Sequence, residues 1–320
     1  MKISRLAAWC VVGLLGCGAA DSSSEKDPTE VDDQELVSSR ANVTTNPSPV
    51  IVGSPTLLDV RVKGAGNVPI TQFDPLHTQP MHLIAVSSDL EDFIHVHPAL
   101  QPAGNLTVSA TFARNQPYKL FMEYDPAGAA GQTLSNARVA PAGSHIVSPQ
   151  LSAASAFDGS VSKAVTATGT VVELAGTPGT TLKANVPAHL VVRFRNTNGT
   201  PVNNLTSWLG MPAHGIIVSP DLKTFVHAHG MPESTAGGGH GAHGTSTDTG
   251  PVGIDVTLPK AGLYKIWVQF QRATTVMTAP FVLNVVASDG PPPPPPPSCA
   301  TMTCPHGQTC MVMGGAPMCM

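Results

Sequence analysis

Pro80-Met-His-Leu-Ile-Ala-Val-Ser-Ser-Asp-Leu-Glu-Asp-Phe-Ile-His-Val-His97 returns 132 residues later as Pro212-Ala-His-Gly-Ile-Ile-Val-Ser-Pro-Asp-Leu-Lys-Thr-Phe-Val-His-Ala-His229. Ten of the 18 positions are identical without a gap, and His82, His95 and His97 fall on His214, His227 and His229. Six of the 12 histidines thus belong to one repeated pattern. Period-two alternation makes His82 to Ser87 and Phe93 to His97 two strands of a hairpin around a polar turn. Pairing Val86 with Phe93 sets Ile84 opposite His95 and His82 opposite His97, so all three histidines share one face. The same register holds for His214, His227 and His229.

Working outward, Pro55, Leu58, Val60, Arg61 and Pro69 align at the same offset with Pro187, Leu190, Val192, Arg193 and Pro201. Downstream, Tyr118-Lys-Leu-Phe aligns with Tyr264-Lys-Ile-Trp only if the second copy carries 14 more residues, and the Gly/His-rich stretch Gly237 to Gly244 lies where they are needed. The chain therefore contains two homologous domains. Short alternating runs such as Leu58 to Val62, His189 to Phe194 and Tyr264 to Phe270 are separated by Gly, Pro and Asn. This predicts an all-β chain of two tandem immunoglobulin-like antiparallel β-sandwiches, at residues 50–147 and 164–287 with a linker at 148–163.

Charged residues make up only 12% of the 320, and the net charge is −4. With no basic stripe to neutralise phosphates, nucleic acid is excluded as an expected partner. Lys2 and Arg5 precede an apolar run, Leu6 to Leu15, too short to span a bilayer, so residues 1–17 read as a signal peptide. Residues 18–49 are Ser, Asp, Glu, Thr and Pro rich and are expected to be a disordered tether.

Pro291 to Pro297 and their neighbours (288–298) form a stiff spacer of roughly 20 Å in polyproline II. Beyond it, residues 299–320 hold Cys299, Cys304, Cys310 and Cys319, which fit two disulfides stapling a module too small for its own core. Zinc, with His306 nearby, is the rival reading, but the CxxC pairs typical of zinc sites are absent. Three connectivities are open.

Imidazoles on cross-strand neighbours, with Cβ atoms about 4.5–5.5 Å apart, can grip one ion. Neutral imidazole suits copper, zinc and nickel. The metal-site candidates are His82, His95, His97, His214, His227 and His229, joined by His77 and Met211. Met81, Met231, His240 and His243 lie nearby, and thioether beside imidazole tilts the choice toward a copper ion, with zinc as the other candidate. A blue-copper centre is disfavoured because neither β-domain has a cysteine. The competing reading makes these histidines structural, each packed against aromatics. No G-x-S-x-G elbow appears, and no catalytic residue or enzyme activity is expected.

Leu14-Leu15-Gly16-Cys17 resembles the lipobox of bacterial lipoproteins, which implies that Cys17 becomes a lipidated N-terminus. Gly18 in place of the inner-membrane retention Asp implies an outer-membrane or surface lipoprotein, held to the membrane by its lipid. The run Met81 to Pro98, with Ala261 to Phe270 and Ala279 to Leu283, resembles exported bacterial proteins with YtkA-like, immunoglobulin-like domains, a group linked to heavy-metal handling. The second copy departs from that pattern with Gly230 in place of a proline and Leu209 at the position of His77. The cysteine spacing resembles follistatin-type and EGF-like hairpins, implying pairs Cys299–Cys310 and Cys304–Cys319. The expected function is a cell-envelope lipoprotein that binds a transition metal through its His-x-His hairpins as chaperone, buffer or resistance component. The alternative is a surface adhesion or interaction lipoprotein with a protein partner in the envelope.

Overall fold

The computed structural model describes residues 39–129, 131–153, 156–157, 162–176, 181–202, 204–233 and 250–288, and the backbone of 310–313 and 316–319. The signal segment with Cys17, the tether to residue 38, the Gly/His loop with His240 and His243, the proline spacer and the cysteine side chains of the tail lie outside the described residues. Residues Cys310–Met313 and Ala316–Cys319 pair as an antiparallel hairpin, with Cys310 opposite Cys319.

The first domain contains β1 (Ser39–Asn46), β2 (Pro55–Gly64), β3 (Pro69–Ile70), β4 (Phe73–Asp74), β5 (His82–Ser87), β6 (Phe93–Val96), β7 (Ala99–Leu100), β8 (Leu106–Thr111), β9 (Tyr118–Pro126) and β10 (Thr133–Val139). One antiparallel sheet runs β1-β2-β8-β7 and the other β10-β9-β5-β6, with β3 and β4 at their margins. Leu58, Val60 and Val62 of β2 meet Leu83, Ala85, Leu120, Met122 and Tyr124 between the sheets. Period-two alternation selects those residues from their strands.

The second domain contains β11 (Ser162–Val165), β12 (Val171–Ala175), β13 (Leu182–Lys183), β14 (Ala188–Arg195), β15 (Leu205–Thr206), β16 (Ala213–Val218), β17 (Phe225–Pro232), β18 (Val252–Val256), β19 (Gly262–Arg272) and β20 (Thr275–Val286). Its strands form one continuous sheet, β11-β12-β14-β18-β17-β16-β19-β20-β13, around a core that includes Leu190, Val192, Ile217, Ile254, Ile266 and Phe270. The architecture is all-β, with no α-helix among the described residues.

One residue explains why the second sheet is continuous and the first is split. Pro98 has no N–H to donate, and β6 stops at Val96. Its counterpart Gly230 lets β17 run on to Pro232 and pair with β18 through Gly230 with Ile254 and Met231 with Gly253. A Cβ at Gly230 would lie 2.4 Å from Val252 Cγ1, so the crossing strand admits only glycine without a shift.

Three expectations are corrected. The tether ends earlier than residue 49, because Ser39–Asn46 pairs along its whole length with β2 and buries Ser39 and Ala41. The linker is shorter than 148–163: Phe157 is fully buried in the second core, its N–H donating to the Val282 carbonyl, and β11 begins at Ser162. Met81 offers no donor to the histidines, since alternation sends it with Leu83 and Ala85 into the first core.

The outward face of β5 is buried as well, so that all six of its residues are hidden; the same is true of β16. The two domains cover each other there. Ile84, Val86, Leu90 and Phe121 pack against Ile216, Val218, Leu222 and Trp267. Phe93 stacks on Trp267 with ring centres 4.8 Å apart, and the equivalent Phe225 stacks on Phe121 at 4.5 Å. Contacts exchanged between equivalent positions make the interface a pseudo-twofold one within a single chain.

Candidate metal centre

The hairpins carrying the histidines have the expected register. Ile84 lies opposite His95 and Val86 opposite Phe93 in the first domain, and His214 opposite His229 and Ile216 opposite His227 in the second. Polar turns close both hairpins: Ser87 Oγ donates to Asp89 Oδ1 and Ser219 Oγ to Asp221 Oδ1, each at 2.5 Å. Leu90 and Leu222 follow with φ of 59°.

Two histidine triads result, His82/His95/His97 and His214/His227/His229, each with one nitrogen per ring inside 4.8 Å of the others. Either triad could hold a metal ion. The pseudo-twofold axis then brings both together at one end of the interface. The His227 ring is 5.2 Å from His82 and 5.5 Å from His95, so six imidazoles form one continuous cluster. His77, grouped by sequence with its own repeat, also sits across the interface, 3.9 Å from the His229 ring and 6.3 Å from His214. Trp208 of the second domain lies against His95 (5.3 Å) and His97 (6.0 Å). Met211 is buried in the turn leading to β16, where its N–H donates to the Trp208 carbonyl.

Outer hydrogen bonds orient the rings. His82 Nε2 and His214 Nε2 donate to the Leu76 and Trp208 carbonyls at 3.0 Å, which turns Nδ1 of both inward as a lone pair. Each Nδ1 faces a second imidazole nitrogen at 3.1 Å, Nε2 of His95 or Nε2 of His227. Behind these, His95 Nδ1 donates to Gln269 Oε1 (2.7 Å) and His227 Nδ1 to Glu123 Oε2 (2.5 Å), both across the domain boundary. With Gln269 accepting from His95, the inner nitrogens of the first pair meet lone pair to lone pair, and those of the second pair do so once Glu123 is ionised. A proton or a metal ion between them relieves that conflict. The separation is close to the roughly 3.3 Å expected between nitrogens at about 2.0–2.1 Å from one tetrahedral ion.

Three further nitrogens are buried without a partner among the described residues: His97 Nε2 and both Nδ1 and Nε2 of His229. An orphaned buried polar atom costs about 1–3 kcal/mol. The cluster is also held uncharged. Burial pushes His82 and His97 down to about 4 and His214 to about 3. His95, His227 and His229 lie well below the ordinary imidazole range, first through burial and then through the neighbouring imidazoles. Burial also raises Glu123, to about 8. Neutral imidazole is the protonation state that ligates a metal.

Glu123 and Gln269 escaped the sequence reading, although both stand five residues after the aligned tyrosines Tyr118 and Tyr264. Nothing in one strand's sequence reveals that its outward side chain will meet the other domain's histidine. Away from the triads, His189 donates to two carboxylates, Nδ1 to Asp255 Oδ1 at 2.7 Å and Nε2 to Glu233 Oε1 at 2.6 Å, and although burial works against it, these acceptors raise its pKa.

No curated protein matches the chain. Among solved structures it is similar to an alpha-2-macroglobulin mutant from Salmonella (11% identity over 79% of this chain and 15% of that one, TM-score 0.24). It is similar also to invasin, a bacterial integrin-binding protein (10% identity, 78% and 39%, TM-score 0.21), and to the adhesin InvE of Yersinia pseudotuberculosis (12% identity, 77% and 59%, TM-score 0.20). The chain spans less than two thirds of the length of each, and at these scores the likeness carries no inference about a site. Residues 36–140 and 164–287 each match the family model described as Domain of unknown function (DUF8832), starting near β1 and thus upstream of the expected boundary at residue 50. With both matches together covering most of its length, the chain belongs to that family and holds two copies of its domain.

Proposed function

We propose that the protein binds a transition metal ion, copper before zinc, at the histidine triads between its two domains, and works as a chaperone, buffer or resistance component of the bacterial cell envelope. The observation that carries this reading is the state of the inner nitrogens. Two imidazole pairs face each other at 3.1 Å, and three more nitrogens beside them are buried with no partner among the described residues. A fold that needed these histidines only for packing would satisfy them internally. An all-imidazole set suits copper, nickel and zinc, and copper(II) stands highest of the three in intrinsic affinity. The role is one of binding: no nucleophile is assigned. The resemblance to YtkA-like exported proteins, and a lipid on Cys17, favour a membrane-tethered location at the outer membrane or surface, facing a protein partner in the envelope.

The test is a titration of chelator-stripped protein with Cu(I), Cu(II) and Zn(II), counting bound ions by mass spectrometry. Tight binding that disappears when His95, His97, His227 and His229 become alanine is the expected result. Binding no stronger than that of the four-alanine protein would make the histidines structural and return the chain to the class of surface interaction lipoproteins.

A further inference from the structure

The two triads share a motif and an axis, yet they differ in three ways, and every difference favours the second. All three rings of His214/His227/His229 are buried, whereas His95 and His97 keep partial contact with solvent. Behind His227 stands the carboxyl of Glu123, which can give up its proton to balance a cation held by the triad; behind His95, at the symmetry-related place, stands the amide of Gln269, which cannot ionise. An imidazole backed by a carboxylate is a more basic ligand than one backed by an amide. The ring of His77 lies 3.9 Å from His229, while the position aligned with His77 in the second repeat is Leu209, which has no donor. Glu123 and His77 both come from the first domain and reach the second domain's triad, so that triad is complete only when the domains are docked.

Given metal binding at the triads, we infer that they are a retention site and an exchange site. His214, His227 and His229, supported by Glu123 and His77, hold one ion firmly. His82, His95 and His97 take and release the other, through the side where His95 and His97 reach solvent. Glu123 is a positioning residue: it orients His227 and strengthens it as a donor, without belonging to the triad.

Full-length protein loaded anaerobically with Cu(I) would be challenged with a chromophoric Cu(I) chelator, following release over time. Two ions should leave in two steps, the slower at least about tenfold behind. His95→Ala with His97→Ala should remove the fast ion, and His227→Ala with His229→Ala the slow one. Glu123→Gln should weaken the slow site by about 10–100-fold, and Gln269→Glu should strengthen the fast one, because exchanging the group behind a ligating histidine changes affinity on that scale. A single release step, one ion lost equally through either alanine pair, or a release ratio unmoved by both conservative variants would each overturn the division of roles. Absence of any bound copper would instead sink the metal-binding reading itself. Circular dichroism of each variant separates loss of a site from loss of the fold, and Gln269→Glu gives a gain that misfolding cannot mimic.

Discussion

Acidifying the chelator-stripped protein from pH 7.5 to 5.0 should cost about 4 kcal/mol of folding stability through His82 and His214 alone. Both are buried, at 1% and 0% exposure, and desolvation lowers them to about 4 and about 3. An unfolded histidine titrates near 6.5. Below that pH the unfolded chain takes up protons that the folded chain refuses, so the stability is intact above pH 6.5 and is lost as pH falls toward the folded values. Each pH unit below 6.5 costs about 1.4 kcal/mol per group, hence about 2 kcal/mol apiece at pH 5.0. Glu123, raised to about 8, and Asp125, raised to about 6, act in the opposite direction over part of this window, because they hold protons in the folded state that the unfolded chain has released. The two histidines are therefore isolated by comparison. Urea unfolding would be measured at pH 7.5 and 5.0 for the wild type and for the double variant His82→Gln/His214→Gln. The variant should lose about 4 kcal/mol less than the wild type between the two pH values. Equal losses in both proteins would refute the claim that these rings are held neutral by burial.

Two predictions concern the architecture that presents the cluster. Trp267→Ala removes the ring stacked on Phe93 in the interface and should cost about 3–5 kcal/mol, with urea unfolding separating into two transitions as the domains lose their mutual contact; a single transition with unchanged midpoint would contradict the interface. Gly230→Ala places a Cβ 2.4 Å from Val252 Cγ1 and 3.1 Å from the Ala213 carbonyl and should destabilise the second domain by about 1–3 kcal/mol; an unchanged urea midpoint would show that β17 does not cross to β18 as described.

Much of the fold could be read from the repeat, because identical spacing of Pro, His, Asp and Phe fixes a strand, a turn and a second strand with one shared face. The hairpin register follows directly from Val86 and Phe93. What failed was the first strand. Ser39–Asn46 carries Arg40, Asn42, Thr44 and Asn46 at its outward positions, as an edge strand exposed on one side can, and its composition is that of a tether. Only its pairing with Val60 and Val62 makes it structure. Phe157 was hidden for a related reason: a lone aromatic in a Ser/Ala stretch gives no period, though it fills the second core. The triads were visible in the sequence as two separate sets. Their union was not, because strand periodicity says which side chains point outward and is silent about what covers them. The same silence concealed Glu123, Gln269 and the crossing of His77.

The composition of the interface supports the proposal that the histidines serve a ligand. At one end, aliphatic and aromatic side chains meet in exchanged pairs, and each such side chain, fully buried, contributes about 1.5–3 kcal/mol. At the other end the two histidine hairpins present imidazoles that must be held neutral, three of whose nitrogens find no partner among the described residues, each at about 1–3 kcal/mol. Apolar residues of similar volume there would give a more stable interface, since an unsatisfied polar cluster is worse than an apolar one. Both repeats nevertheless carry it in the same register. An ion seated among those nitrogens would convert the cost into ligand bonds, and because the first domain supplies Glu123 and His77 to the second domain's triad, it would bind the docked form more tightly than an open one. Loading the site should therefore stabilise the association of the two domains, and stripping it should loosen that association, read as a lower urea midpoint for the stripped than for the loaded protein.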